Sequence, residues 1–175
     1  MGIPKAIWLT GLPSAGKTTL GNALHRSLAE KGIPAVTIDG DEFRKSLSSD
    51  LGFSLADRSE NIRRAAQMAR MVVNSGVMAI CSFVSPTIAI REQAKSIIGA
   101  DSFIEVHVCT PLSVCMQRDG KGLYQKAKAG VLKDFTGVSS PFENPLNPSV
   151  KVDASEQSAE QMVDFLWDKI LKKFL

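Results

Sequence analysis

Gly11-Leu12-Pro13-Ser14-Ala15-Gly16-Lys17-Thr18 decides how this 175-residue chain folds, because it satisfies the phosphate-loop spacing G-x-x-x-x-G-K-[ST] in the setting that spacing requires. Before it, residues 6–10 are a short apolar run suited to a buried strand. After it, Leu20, Leu24 and Leu28 recur at helical spacing through residues 18–31. Strand, glycine-rich turn and helix start together present main-chain amides and a positive dipole end to phosphate oxygens. Lys17 is expected to reach the β- and γ-phosphates of ATP or GTP, and Thr18 to offer its hydroxyl to Mg2+.

The rest of the chain continues the alternation. Gly32-Ile33-Pro34 stops the first helix, and residues 35–38 read as a second buried strand ending at Asp39-Gly40-Asp41. Ser54-x-x-Asp57 resembles a capping box, followed by Ile62, Ala65, Ala69, Val72 and Val73 at helical spacing as far as Gly76. Residues 77–83 form a continuous apolar strand, Pro86 opens a helix through Ile98, and residues 103–110 give another strand before Pro111 at a helix start. Between Asp119 and Pro148 the periodicity fades into glycine, lysine and proline, with a short helix at residues 124–128; this reads as a mobile lid. A last strand at residues 150–153 precedes an apolar stripe of Val163, Leu166, Trp167, Ile170 and Phe174 on a closing helix. Repeated strand-helix units predict an α/β fold in three layers: a mostly parallel sheet covered by helices on both faces, with ligands at the carboxyl ends of the strands.

Composition narrows the classes. A chain of 175 residues with 44% hydrophobic and 22% charged residues suits one domain spanning residues 1–175. It holds no run of about 18 apolar residues and no room for a signal peptide before Gly11, so a cytoplasmic location without membrane association is expected. A net charge of +3 makes no case for nucleic acid as a partner. Cys81, Cys109 and Cys115 lack CxxC spacing and sit among apolar neighbours, the pattern of buried free thiols.

A phosphate loop serves kinases, switch GTPases and mechanical ATPases alike, so a second constellation must choose among them. Asp41, at the end of the second strand, can accept the proton of an attacking hydroxyl or hold a magnesium-bound water, and either role needs a carboxylate near Thr18. Arg44 follows one helical turn later, and Arg58, Asn61, Arg63 and Arg64 gather at the start of the next long helix. Guanidinium groups bind phosphate and sulfate through a planar fork, so this density favours a dianionic acceptor over a neutral alcohol.

The ordered stretches GLPSAGKTT, DGDEFR, DLGFSLADRSENIRR, SFVSP, RDGKGLYQKAKAG and FTGVSSPFENPLNP resemble the adenylylsulfate kinases over nearly the whole chain. The resemblance implies a P-loop kinase fold, ATP and Mg2+, a small nucleotide acceptor (adenosine 5′-phosphosulfate) and, as is frequent among relatives, a homodimer. It further implies that Asp41 is the base or magnesium-water ligand with Asp39 in support. Phe53 and Phe135 would clamp the acceptor adenine, while Arg44, Arg58 and Asn61 would hold its phosphosulfate and ribose beside Val84 and Leu123. Arg118, Thr136 and Gly137 would contact the donor base, and Lys121 would come from the lid. Ser85 matches the serine that bacterial members are described as phosphorylating; it equally suits a helix cap before Pro86. Two departures stand out. Thr87-Ile88 replaces the family's tyrosine and arginine in a region expected to border the acceptor, which leaves open a different nucleotide such as a cytidine diphosphate derivative. Gly120 replaces a common proline, which should loosen the lid entrance.

Overall fold

The computed structural model describes residues 4–173. Five strands, β1 (Ala6–Thr10), β2 (Ala35–Asp39), β3 (Met78–Ser82), β4 (Phe103–Val108) and β5 (Val150–Val152), lie in one sheet ordered β2-β3-β1-β4-β5, and all four pairings are parallel. Parallel neighbours need crossover connections, which here are helical. The helices are α1 (Lys17–Glu30), α2 (Gly40–Lys45), α3 (Leu55–Asn74), α4 (Ile88–Ile98), α5 (Leu112–Gln117), α6 (Leu123–Lys128) and α7 (Ala159–Lys169).

The two-residue period of β1 divides the interior. Ile7 and Leu9 point into a core completed by Leu20, Leu24 and Leu28 of α1 and by Met162 and Leu166 of α7. Ala6 and Trp8 point the other way, onto Ile62, Ala65 and Ala69 of α3 and Ile90 and Ala94 of α4. A strand buried on both faces must be apolar throughout, and all five residues of β1 are buried. Trp8 fills much of the second core, stacking on Phe83 with ring centroids 5.2 Å apart. The three cysteines are free, Cys81 and Cys115 buried and Cys109 half-buried.

Several sequence expectations change in detail. Only Ile38 of the second strand is buried: β2 ends the sheet order, has a neighbour on one side only, and leaves Val36 44% exposed. The helix expected to open at Pro86 begins at Ile88, where the Thr87 hydroxyl accepts from Ile90 N at 3.3 Å. The cap is therefore Thr87 and not Ser85. The closing helix ends at Lys169 and continues as a 3-10 turn over Leu171–Lys173; Phe174 lies outside the described residues. Ser54 caps α3 as expected, accepting from Asp57 N at 3.1 Å.

Because every strand runs the same way, the carboxyl ends of β1, β2 and β3 open on one edge of the sheet. Gly11, Asp39-Gly40 and Phe83-Val84 leave the sheet there.

Candidate active site

The phosphate loop is held from three sides. Thr110 Oγ1 donates to Ala15 O at 2.8 Å, Tyr124 Oη donates to Pro13 O at 3.0 Å, and Gly11 packs so closely on β4 that a Cβ there would lie 2.4 Å from Val108 O. Gly16 turns the chain into α1 with φ 101°, a left-handed conformation that favours glycine. Lys17 is buried and folds back on the loop, its Nζ donating to Gly11 O at 3.0 Å and Leu12 O at 2.7 Å. Burial lowers its pKa to about 8, against the opposing pull of Cys115, Asp39 and Asp41. A desolvated ammonium bonded only to carbonyls is ready to exchange them for an anion.

The carboxylate next to Thr18 is Asp39, not Asp41. Thr18 Oγ1 donates to Asp39 Oδ2 at 2.7 Å, while Asp39 Oδ1 accepts Asp41 N at 2.9 Å and so caps α2. Asp41 projects from the first turn of α2 and pairs with Lys121 from the segment 119–148. Sequence spacing could not separate the two aspartates; the strand-to-helix turn at Asp39 does so.

Across the cleft, Phe53 is 58% exposed, with the Arg44 guanidinium 4.5 Å and the Arg58 guanidinium 5.6 Å from its ring centroid. Arg44 Nη1 is fixed on Gly52 O, and Arg58 donates Nε to Phe53 O and Nη2 to Asp134 O. Burial, then the nearby Arg44 cation, lowers the Arg58 pKa. Two guanidinium groups held close enough to repel form a place for an anion. Arg63 and Arg64 do not join them: Arg63 is bound to Glu60, and Arg64 to Glu60 and Asp50, on the outer side of α3. Here Glu60, one turn away on α3, and Asp50, from the loop before the helix, take up the charges that residue type alone points toward the acceptor.

One cleft of about 670 Å³ contains both walls, near the middle of the range of ligand sites. Pro13, Ser14, Gly16, Lys17 and Thr18 line it on the loop side, and Arg118 and Thr136 stand over them. Asp39, Asp41, Arg44, Phe53, Arg58 and Asn61 line the other side. Val84, Ser85, Lys121, Leu123 and Phe135 complete the wall between. Gly11, Leu12, Ala15 and Gly137 are not among the lining residues. Gly137, at φ 88°, instead allows the chain to pass against Leu12 and Leu112. Two buried polar atoms of lining residues, Asn61 Oδ1 and Thr136 Oγ1, have no hydrogen-bond partner in the protein, as expected where a ligand supplies it.

Ser85 is buried with φ 44°, and its hydroxyl accepts from Trp8 Nε1 at 3.0 Å. Thr87 and Ile88, where the sequence departs from its relatives, do not line the cleft. Their substitution caps and starts α4 and leaves the cleft wall untouched. Sequence reasoning missed Tyr124, which docks the segment 119–148 onto Pro13, and Ala154, whose carbonyl accepts Arg118 Nη2 at 2.6 Å. The position of Ala154 just past β5, at a strand's carboxyl end, was the available signal.

The model of the adenylylsulphate kinase family matches residues 3–153. An adenylyl-sulfate kinase of Shewanella amazonensis is 47% identical over 165 residues, covering 94% of this chain and 83% of that one. A Bacteroides thetaiotaomicron adenylyl-sulfate kinase is 46% identical over 167 residues, with 95% and 83% covered. Among solved structures, the Mycobacterium tuberculosis APS kinase CysC in complex with AMPPNP and APS superposes with a TM-score of 0.92 at 38% identity, covering 97% of this chain and 99% of that one.

Proposed function

The chain belongs to the adenylylsulfate kinase family, and from that membership we infer that it transfers the γ-phosphoryl group of ATP to the 3′-hydroxyl of adenosine 5′-phosphosulfate. The products are ADP and 3′-phosphoadenosine 5′-phosphosulfate. The observation that carries the reading is a single cleft with the phosphate loop on one wall and the Arg44-Phe53-Arg58 group on the other. One domain, residues 1–175, houses both substrates in this reading.

Each wall has a task. Lys17 exchanges the Gly11 and Leu12 carbonyls for the β- and γ-phosphates. Arg118 and Thr136 face the donor base. Arg44, Arg58 and Asn61 hold the phosphosulfate and ribose of the acceptor, and Phe53 and Phe135 flank its adenine. Asp41 leaves Lys121 and takes the acceptor's proton as the 3′-oxygen bonds to the γ-phosphorus and the bond to the β-phosphate oxygen breaks. Ser85 forms no covalent intermediate, since its buried hydroxyl is engaged by Trp8 and the acceptor oxygen can attack directly. The segment 119–148, anchored by Tyr124, excludes water that would compete for the phosphoryl group.

The residues present fit magnesium. Among the described residues no group of three or more His, Cys, Asp or Glu could form a metal cage, yet the Thr18 hydroxyl and the Asp39 carboxylate stand together beside the phosphate loop. One or two hard oxygen ligands, with phosphates and water supplying the rest, is the usual magnesium arrangement. Bound there, the ion would offset charge on the phosphate oxygens during transfer.

The test is ADP release from ATP and Mg2+ with adenosine 5′-phosphosulfate, beside a cytidine diphosphate derivative. Turnover with the first alone is expected. Release no greater than in the acceptor-free control would overturn the assignment.

A further inference from the structure

Arg91 is a buried arginine without a place in the cleft. Its guanidinium joins three segments. Nη1 donates to Ser85 O at 2.8 Å, Nη2 donates to Glu143 O at 2.7 Å, and Nε lies 3.0 Å from Glu105 Oε1 of β4 as an ion pair without hydrogen-bond alignment. Phe142 lies under it, 5.7 Å from ring centroid to guanidinium, and His107 stacks with the same ring at 5.9 Å. Glu143 returns the connection: its amide donates to Pro86 O at 2.8 Å and its carboxylate accepts Ile88 N at 2.7 Å.

The two segments joined here are the ones that carry the acceptor wall between β3 and the segment 119–148. Val84 and Ser85 line the cleft on one side of the junction; Phe135, which flanks the acceptor adenine in the reading above, lines it eight residues before Glu143. Ser85 needs the support. A serine at φ 44° is strained and persists only when its surroundings over-determine it. Trp8 fixes its hydroxyl, and Arg91 fixes its carbonyl, with Thr10 Oγ1 at 3.4 Å from the same oxygen. Neither Arg91 nor Glu143 bonds the donor loop, whose side-chain partners from outside are Thr110, Tyr124, Asp39 and Ser82.

We propose that Arg91 and Glu143 form a clasp that positions the acceptor wall, making both of them positioning residues for the nucleotide acceptor and not for ATP. The proposal rests on the acceptor-site reading given above. A planar fork with several fixed donors can hold two carbonyls and a carboxylate at once, which a lysine cannot. Glu143 is exposed, so its replacement leaves the core intact.

The experiment varies ATP and adenosine 5′-phosphosulfate separately for the wild type, Glu143→Ala, Glu143→Gln and Arg91→Lys. Glu143→Ala and Arg91→Lys are expected to raise the acceptor KM roughly tenfold with the ATP KM within about twofold. Glu143→Gln keeps an acceptor for Ile88 N and should stay close to wild type. Should Arg91→Lys fail to fold around Glu105, Arg91→Met combined with Glu105→Gln removes both charges of this largely buried pair together and is expected to raise the acceptor KM alone in the same way. An unchanged acceptor KM in Glu143→Ala, or both KM values rising in step with a fall in Tm, overturns the clasp. Hydrogen exchange over residues 134–147 needs no acceptor: faster exchange in Glu143→Ala supports the clasp, and unchanged exchange overturns it even if the wild type proves inactive on adenosine 5′-phosphosulfate.

Discussion

On the phosphate side of the donor wall the recognition groups are the loop main chain, the Thr18 hydroxyl and one buried lysine, whereas along the acceptor wall they are long side chains drawn from α2, the turn before α3, α3 itself and the segment 119–148. The first arrangement is built by the sheet. Gly11 leans on Val108, Ala15 accepts from Thr110, and Lys17 folds back onto the loop's own carbonyls. The second is built by mutual support: Arg58 ties Phe53 to Asp134, Arg44 stacks on Phe53, and Lys121 pairs with Asp41. A wall of amides cannot easily be changed in specificity, while a wall of side chains can, which is why the shared loop is compatible with many acceptors.

The comparison can be broken most forcefully at Lys17. Lys17→Met should lower kcat/KM for ATP by roughly 10³-fold, because the cation facing the transferred phosphate is lost while the loop backbone remains. A loss smaller than tenfold in steady-state assays would mean that the amides alone carry the donor wall. Asp41→Asn comes next, with kcat expected to fall about 10²–10³-fold at nearly unchanged ATP affinity by calorimetry. If Asp39→Asn gives that kcat loss instead and Asp41→Asn does not, the two aspartates exchange roles.

Arg58→Ala sharpens the acceptor side. Loss of one charge-assisted contact is expected to raise the acceptor KM about 10- to 100-fold, and an equal rise in the ATP KM would place Arg58 on both walls. The smallest effect is the pH dependence of the donor wall. With the Lys17 pKa lowered to about 8 by burial, its cation is present below that pH and is lost as pH rises through it. The kcat/KM for ATP, which reports the free enzyme, should therefore decline on the alkaline side of about pH 8 and approach a tenfold loss per pH unit. A profile flat to pH 10 would show that the lysine keeps its ordinary pKa.

Legibility in the sequence followed the same division. Residues 11–18 were readable because spacing, residue type and flanking periodicity each demand the same strand-loop-helix. Phe53, Arg58 and Asn61 were placed by resemblance, and the structure brings all three to the cleft. Arg63 and Arg64 were misassigned because their residue type fits an anion equally well, while Glu60 and Asp50 take them up. The burial of β2 was misjudged because an apolar run at a sheet edge reads like one at the centre.

By itself the sequence determined the alternation of strands and helices, the parallel sheet and the phosphate loop, since those depend on period and spacing within a few residues of one another. Tertiary structure alone decided that Asp39 and not Asp41 meets Thr18, that Thr87 and not Ser85 caps α4, and that Arg91 joins Ser85 to Glu143. Arg91 and Glu143 are 52 residues apart in the chain. No local period encodes such a meeting; it follows from where the sheet order places the ends of the strands.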